Sequence, residues 1–227
     1  MFRGLFALAT DWRLKALARQ LIGPDAALMK VCMYHCAKNT HRSCDFLPQD
    51  KFIFKAAGEG DGFTPHQDIQ YVYGRFAVDA VNFAIAFDDA DEENGALQVV
   101  PGLQQELQGK IIVEQTERYP IPAQIADSLN FQVQPVRRGD MLCFSAFTPH
   151  RSAPNRSPTR HRAVYYPTYA IPAPGRGSAS RVYDDYYEYA WEWWRTMADK
   201  FPDDGLVPGK QRPLLHPTGC VPRGTGH

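Results

Sequence analysis

Residues 78–100, VDAVNFAIAFDDADEENGALQVV, hold two apolar runs separated by an acidic insert. Val78–Phe87 and Ala96–Val100 are short and rich in β-branched or aromatic residues, so both read as strands. Glu93-Asn94-Gly95 between them is a tight-turn signal, because Asn-Gly tolerates positive φ. Asn82 interrupts the first run. A polar side chain in an apolar strand is costly unless hydrogen-bonded, so Asn82 must face a ligand or a polar partner. The same texture recurs at Lys51–Lys55, Ile111–Glu114, Phe131–Val136, Met141–Phe147 and Ala163–Tyr169. Short strands divided by Gly, Pro, Asn and Asp, without long helices between them, predict an antiparallel sandwich or barrel.

The flanks read differently. Thr10-Asp11 can cap a helix in which Leu14, Leu17, Ala18 and Leu21 share a face, and Gly23-Pro24 stops it. Near the other end, Val182, Tyr186, Tyr189, Trp193 and Met197 fall on one helical face, with Asp184 and Asp185 near its start. This stripe reads as core-facing, and Pro202 ends it. A Pro- and Gly-rich extended tail follows from Gly205. The expected organisation is one domain over 1–227, with its core at about 23–170 and the C-terminal helix and tail, 178–227, packed outside.

Composition narrows the function. The 227 residues are 44 % hydrophobic and 22 % charged, which excludes a disordered chain. Twenty-five basic and 25 acidic residues balance, which argues against a general nucleic-acid binder or a polybasic membrane binder. No apolar run reaches the roughly 18 residues of a spanning helix. The start, MFRGLFALATDWRLKALARQ, is broken by Asp11 and Arg13 and lacks a small-residue cleavage site, so it does not read as a signal peptide. Five sparse cysteines read as reduced thiols of a cytoplasmic protein.

The chemistry centres on GFTPHQDIQY, residues 62–71, which sets His66 and Asp68 two positions apart. On an extended chain these side chains point the same way. In RRGDMLCFSAFTPHRSAPNRS, residues 137–157, Gly139-Asp140 turns the chain into an apolar strand with His150 at its far end. Two histidines and one carboxylate form the facial set of non-haem Fe(II) oxygenases. A competing cluster, Cys32, His35, Cys36, His41 and Cys44, has zinc-ligand chemistry but not the spacing of a standard finger.

Four separated strings occur in order: HQD, then DDADEENGALQVVPG, then Gly139-Asp140, then HRSAPNRS followed by arginine. Together they resemble the phytanoyl-CoA dioxygenase family of Fe(II)/2-oxoglutarate oxygenases, from roughly Gly23 to Tyr169. The resemblance implies a double-stranded β-helix, a cupin-like jelly roll with flanking helices. It implies Fe(II) held by His66, Asp68 and His150, with 2-oxoglutarate and dioxygen as co-substrates. Oxidation of 2-oxoglutarate to succinate and carbon dioxide would drive attack on an unactivated C–H bond. Related halogenases lack the carboxylate, so Asp68 disfavours halogenation.

The distal carboxylate of 2-oxoglutarate needs a fixed cation, which arginine supplies through its planar fork. Eleven residues after His150, where the family carries that arginine, stands His161, flanked by Arg160 and Arg162. The stretch 155–159 reads one residue longer than the common pattern. Allowing for it makes Arg162 the first candidate; Arg160 is the alternative, since strand parity would put both on one side. Asn82, Ser152 and Lys55 are further co-substrate candidates. Ala84 stands where a tryptophan is frequent. For the substrate, Tyr71, Tyr73, Phe54 and Phe147 can line an apolar pocket, while Lys55, Arg151 and Arg160 can bind an anionic group. A small molecule, such as a specialised metabolite, is expected. A metal-dependent cupin-like isomerase or lyase, and a degenerate small-acid-binding protein, are the other readings; succinate release separates them from the oxygenase.

Overall fold

The computed structural model describes residues 2–30, 51–71, 77–102 and 121–175. The cysteine-histidine cluster, the strand expected at Ile111–Glu114, Tyr73, and the C-terminal helix and tail lie outside the described residues.

Two helices lead the chain, α1 (Phe2–Ala9) and α2 (Trp12–Ile22). Asp11 caps α2 by accepting the Arg13 N–H at 2.9 Å, and Gly23, at φ +117°, ends it. Leu14 and Ala18 are buried as the spacing requires, but Leu21 is 52 % exposed and Ile22 packs inward instead. The sequence reading had no helix at α1. The Thr10 hydroxyl caps its end by donating to the Phe6 carbonyl at 2.8 Å, and tertiary contacts anchor it: the Tyr165 and Tyr169 hydroxyls donate to the carbonyls of Leu5 and Ala9 at 3.1 and 2.6 Å.

The strands are β1 (Ala27–Lys30), β2 (Lys51–Lys55), β3 (Phe63–His66), β4 (Ala77–Ala86), β5 (Leu97–Val99), β6 (Gln132–Val133), β7 (Met141–Ser145), β8 (His150–Ser152), β9 (Arg162–Tyr166) and β10 (Thr168–Pro172). A short helix, α3 (Ala123–Ala126), precedes β6. One sheet runs β1-β10-β4-β9-β2, with β7 on the other side of β4; the second runs β3-β8-β5-β6. All pairings between these strands are antiparallel. This is the jelly roll that the resemblance implied.

Proline explains two differences from the sequence reading. The strand expected at Ala163–Tyr169 is two, β9 and β10, divided at Pro167. Pro167 has no N–H for the ladder, though its carbonyl accepts from Phe83 at 3.0 Å. The strand expected at Phe131–Val136 shrinks to Gln132–Val133 because Pro135 breaks it; Val136 then bridges Ala90 alone.

Alternation along β4 divides the molecule. Val81 and Phe83 pack outward under α2 with Leu14, Ala18 and Tyr169. Asn82 and Ala84 face the space between the sheets, where Ala84 meets Leu97, Val99, Phe144 and Tyr166. The acidic insert crosses from one sheet to the other rather than closing a hairpin. Asn94 holds it, accepting from Asp91 N–H and donating to the Asp89 carbonyl, both at 2.8 Å. Gly95 sits at φ +78°, and a Cβ there would strike the carbonyl oxygen of Ala153. Gly95→Ala is therefore expected to destabilise the fold by roughly 1–3 kcal/mol. Chemical denaturation checks this, and an unchanged midpoint would contradict it.

Candidate metal and co-substrate site

His66 ends β3 and His150 opens β8, and the two are cross-strand partners. Their rings lie 4.2 Å apart between centroids. Each ring is aimed by the chain just before it. Nδ1 of His66 is 2.7 Å from the Thr64 carbonyl, and Nδ1 of His150 is 3.0 Å from the Thr148 carbonyl. A carbonyl only accepts, so Nδ1 carries the proton in both rings and Nε2 presents its lone pair.

Asp68 completes the set. Its Oδ1 lies 3.5 Å from His66 Nε2 and its Oδ2 3.8 Å from His150 Nε2. One ligand atom from each residue falls within 4.8 Å of the others, and all three residues are buried. Two imidazoles, each aimed by its Nδ1 contact so that Nε2 faces inward, and a single carboxylate, all converging, are a donor set that fits one divalent transition-metal ion.

The route to this convergence differs from the sequence reading in two places. His66 and Asp68 do not share a strand face. The strand ends at His66, and Asp68 opens a 3₁₀ turn, Asp68–Tyr71. Nor does His150 end the strand after Gly139-Asp140. That strand, β7, stops at Ser145, and residues 146–149 carry the chain to the other sheet. Gln67 and Ile69 stitch the two turns together. Gln67 Nε2 donates to the Phe147 carbonyl at 2.6 Å, and Ile69 N–H donates to the Ala146 carbonyl at 3.0 Å.

A cleft opens over the three ligands, walled by Ile53, Phe63 and Leu97 and reaching Arg162 and Tyr166. Arg162 opens β9 and is 1 % exposed. Its Nη2 donates to the Tyr166 hydroxyl at 2.9 Å, yet Nε and Nη1 are buried with no hydrogen-bond partner among the described residues. A buried guanidinium with unsatisfied donors is costly unless a ligand with acceptor oxygens completes it. This arginine therefore fits the distal carboxylate of 2-oxoglutarate.

The other candidates divide. Arg160 precedes the strand, so parity does not carry it inward. It lies on the surface, with Nη1 donating to Asp91 Oδ2 at 2.7 Å and Nη2 to Glu93 Oε2 at 2.5 Å. That contact holds the Asp91 carboxyl below the usual carboxylate range and raises the guanidinium. Ser152 lines the cleft and accepts from Lys55 Nζ at 2.8 Å; Lys55 also donates to the Ala153 carbonyl, and it is not among the cleft-lining residues. Asn82 donates to Asp68 Oδ2 at 3.0 Å, so it meets a metal-ligand carboxylate rather than the arginine end of the cleft.

Among the substrate candidates, Phe54 alternates with Ile53 and faces outward, its ring 5.2 Å from that of His161. Phe147 belongs to a core cluster with Met29 and Ile69. Tyr71 ends the 3₁₀ turn, where only its backbone is described. Arg151 is among the cleft-lining residues, with its guanidinium engaged beside the cleft: Nε donates to Gln98 Oε1 at 2.7 Å and the group lies 4.3 Å from the centre of the Phe131 ring. The sequence reading passed over Ile53, Tyr166, Gln67 and Thr168. Tyr166 was accessible by parity, being four residues after Arg162 on one strand. Gln67 carried no signal, because its partner is a backbone carbonyl remote in sequence.

Comparison with known proteins relates the chain to oxygenases by sequence and by fold. Methylphosphonate hydroxylase of Gimesia maris is 33 % identical over 119 residues, 52 % of this chain and 43 % of that protein. The 2-aminoethylphosphonate dioxygenase of an uncultured bacterium is 28 % identical over 119 residues, 52 % of this chain and 44 % of that protein. The chain thus spans less than half the length of these relatives. The fold is shared with the epimerase SnoN, solved in complex with Fe3+, alpha ketoglutarate and nogalamycin RO, at a TM-score of 0.52 and 23 % identity over 72 % of this chain and 57 % of that one. The described family domain Phytanoyl-CoA dioxygenase (PhyH) matches residues 3–163, from α1 through all three metal-ligand candidates to the start of β9, and the chain belongs to that family.

Proposed function

We propose that this protein is an Fe(II)- and 2-oxoglutarate-dependent dioxygenase that hydroxylates, or otherwise oxidises, an unactivated C–H bond of a small molecule in specialised metabolism. The observation that carries the reading is Arg162, whose buried unsatisfied donors share one cleft with His66, Asp68 and His150. When bound, Fe(II) supplies the dioxygen chemistry that couples oxidation of 2-oxoglutarate to succinate with oxidation of the substrate. The protein's part is positional. Thr64 and Thr148 hold the two imidazole tautomers that present Nε2. Arg162, braced by Tyr166, would hold the distal carboxylate of 2-oxoglutarate in the cleft it shares with the three metal-ligand candidates. Ile53, Phe63 and Leu97 wall the cleft with apolar surface, which excludes water from the reacting groups.

A cupin-like isomerase can use the same three ligands but gives Arg162 nothing to bind, and a small-acid-binding relic can use Arg162 but has no reason to keep all three ligands beside it. The relatives named for methylphosphonate and 2-aminoethylphosphonate support a small polar substrate. With Fe(II) and 2-oxoglutarate under anaerobic conditions the protein should develop a visible metal-to-ligand charge-transfer band. Oxygen should discharge it with slow release of succinate even without substrate, and N-oxalylglycine should block that release. Fe(II) bound at the three ligands with neither band nor succinate would overturn the reading.

A further inference from the structure

Asn82 and Thr168 are both buried in the barrel interior, 1 % and 2 % exposed, on paired positions of β4 and β10. The Thr168 hydroxyl donates to Asn82 Oδ1 at 2.6 Å, and Asn82 Nδ2 donates to Asp68 Oδ2 at 3.0 Å. The chain of donors has one direction. A primary amide turned over would set its oxygen against the Asp68 carboxylate, acceptor against acceptor. The carboxylate, which only accepts, therefore fixes the amide nitrogen on its side, and the Thr168 hydroxyl, free to rotate, donates to the oxygen left on the other and adds a second anchor to the amide. Neither residue lines the cleft, so neither is placed to touch co-substrate or substrate.

We propose that Thr168 and Asn82 form a positioning relay that orients the carboxylate of Asp68 for the metal, Thr168 acting through Asn82. The relay explains why an asparagine stands in the apolar strand β4: its amide is satisfied at both ends by groups from other elements. It also ties the metal-binding turn to the major sheet, whereas both histidines belong to the minor one. The carboxylate is thus held from one sheet and the imidazoles from the other.

The inference rests on the metal-site reading but not on the use of 2-oxoglutarate, so its test needs only the metal. Co(II) affinity, by competition with a chromophoric chelator, and the visible Co(II) spectrum are measured with thermal denaturation of the metal-free protein. Thr168→Val keeps the shape and the strand preference but removes the hydroxyl. It should weaken Co(II) binding by about 10- to 100-fold and alter the spectrum, and Thr168→Ser should restore both. Asn82→Leu should weaken binding at least as much. In the double variant Thr168→Val should have no further effect on affinity, because its route to the metal is gone. Unchanged affinity and spectrum in Thr168→Val, with only a lower melting temperature, would make these residues packing elements and overturn the relay. So would additive losses in the double variant. A wild-type protein that binds Co(II) but shows no 2-oxoglutarate band would sink the proposed function and leave the relay standing; one that binds no Co(II) would remove both.

Discussion

Arg162→Met should raise the 2-oxoglutarate requirement by about 30- to 5000-fold, the equivalent of roughly 2–5 kcal/mol for losing one partner of a desolvated charge pair. The same substitution should stabilise the protein in the absence of ligands. Arg162 is buried with two unsatisfied donors, and methionine removes them while filling much of the space. The gain expected is roughly 1–3 kcal/mol. The two effects have opposite signs, which separates a binding residue from a structural one. Arg160→Ala is the control. Its partners are Asp91 and Glu93 on the surface, so co-substrate affinity should not change. Anaerobic titration of the charge-transfer band and denaturant unfolding supply the two measurements. If Arg160→Ala carries the large loss and Arg162→Met does not, the assignment of the co-substrate end is wrong.

Asp68→Ala should lower Fe(II) affinity by more than about 100-fold, since even partners one step removed from a metal cost about 10- to 100-fold. The fold should survive. Removing a buried carboxylate relieves a desolvation cost, though it leaves the Asn82 amide with one donor unmatched, so the net change should be within about 2 kcal/mol. Anaerobic Fe(II) titration tests the first statement and circular dichroism the second. Unchanged iron affinity with full succinate release would remove Asp68 from the metal site.

The difference between Arg160 and Arg162 shows how far local reasoning reaches. Parity treats residues two apart as equivalent, but only within a strand. The strand begins at Arg162, and the acidic insert offers Asp91 and Glu93 to the arginine just outside it. No pattern within residues 155–165 reveals that partner, because it comes from the far side of β4 and the insert. Phe54 and Phe147 went astray for a related reason. Hydrophobicity marks them as buried, but which side of a sheet they face depends on where the strand and the turn begin.

What the sequence determined by itself was chemistry and texture. Residue types alone make two imidazoles and a carboxylate a metal set, and short runs broken by turn residues make an antiparallel β fold. These are local properties, carried by side-chain donors and by a period of two. The tertiary structure decided which groups meet. Pairing of β3 with β8 brings His66 to His150, and the turn after β3 swings Asp68 between them. Pairing of β4 with β10 sets Thr168 beside Asn82 and so gives Asn82 its role. Such contacts join segments distant in the chain. They depend on sheet register and on where turns interrupt it, which are settled only when the two sheets close on one another.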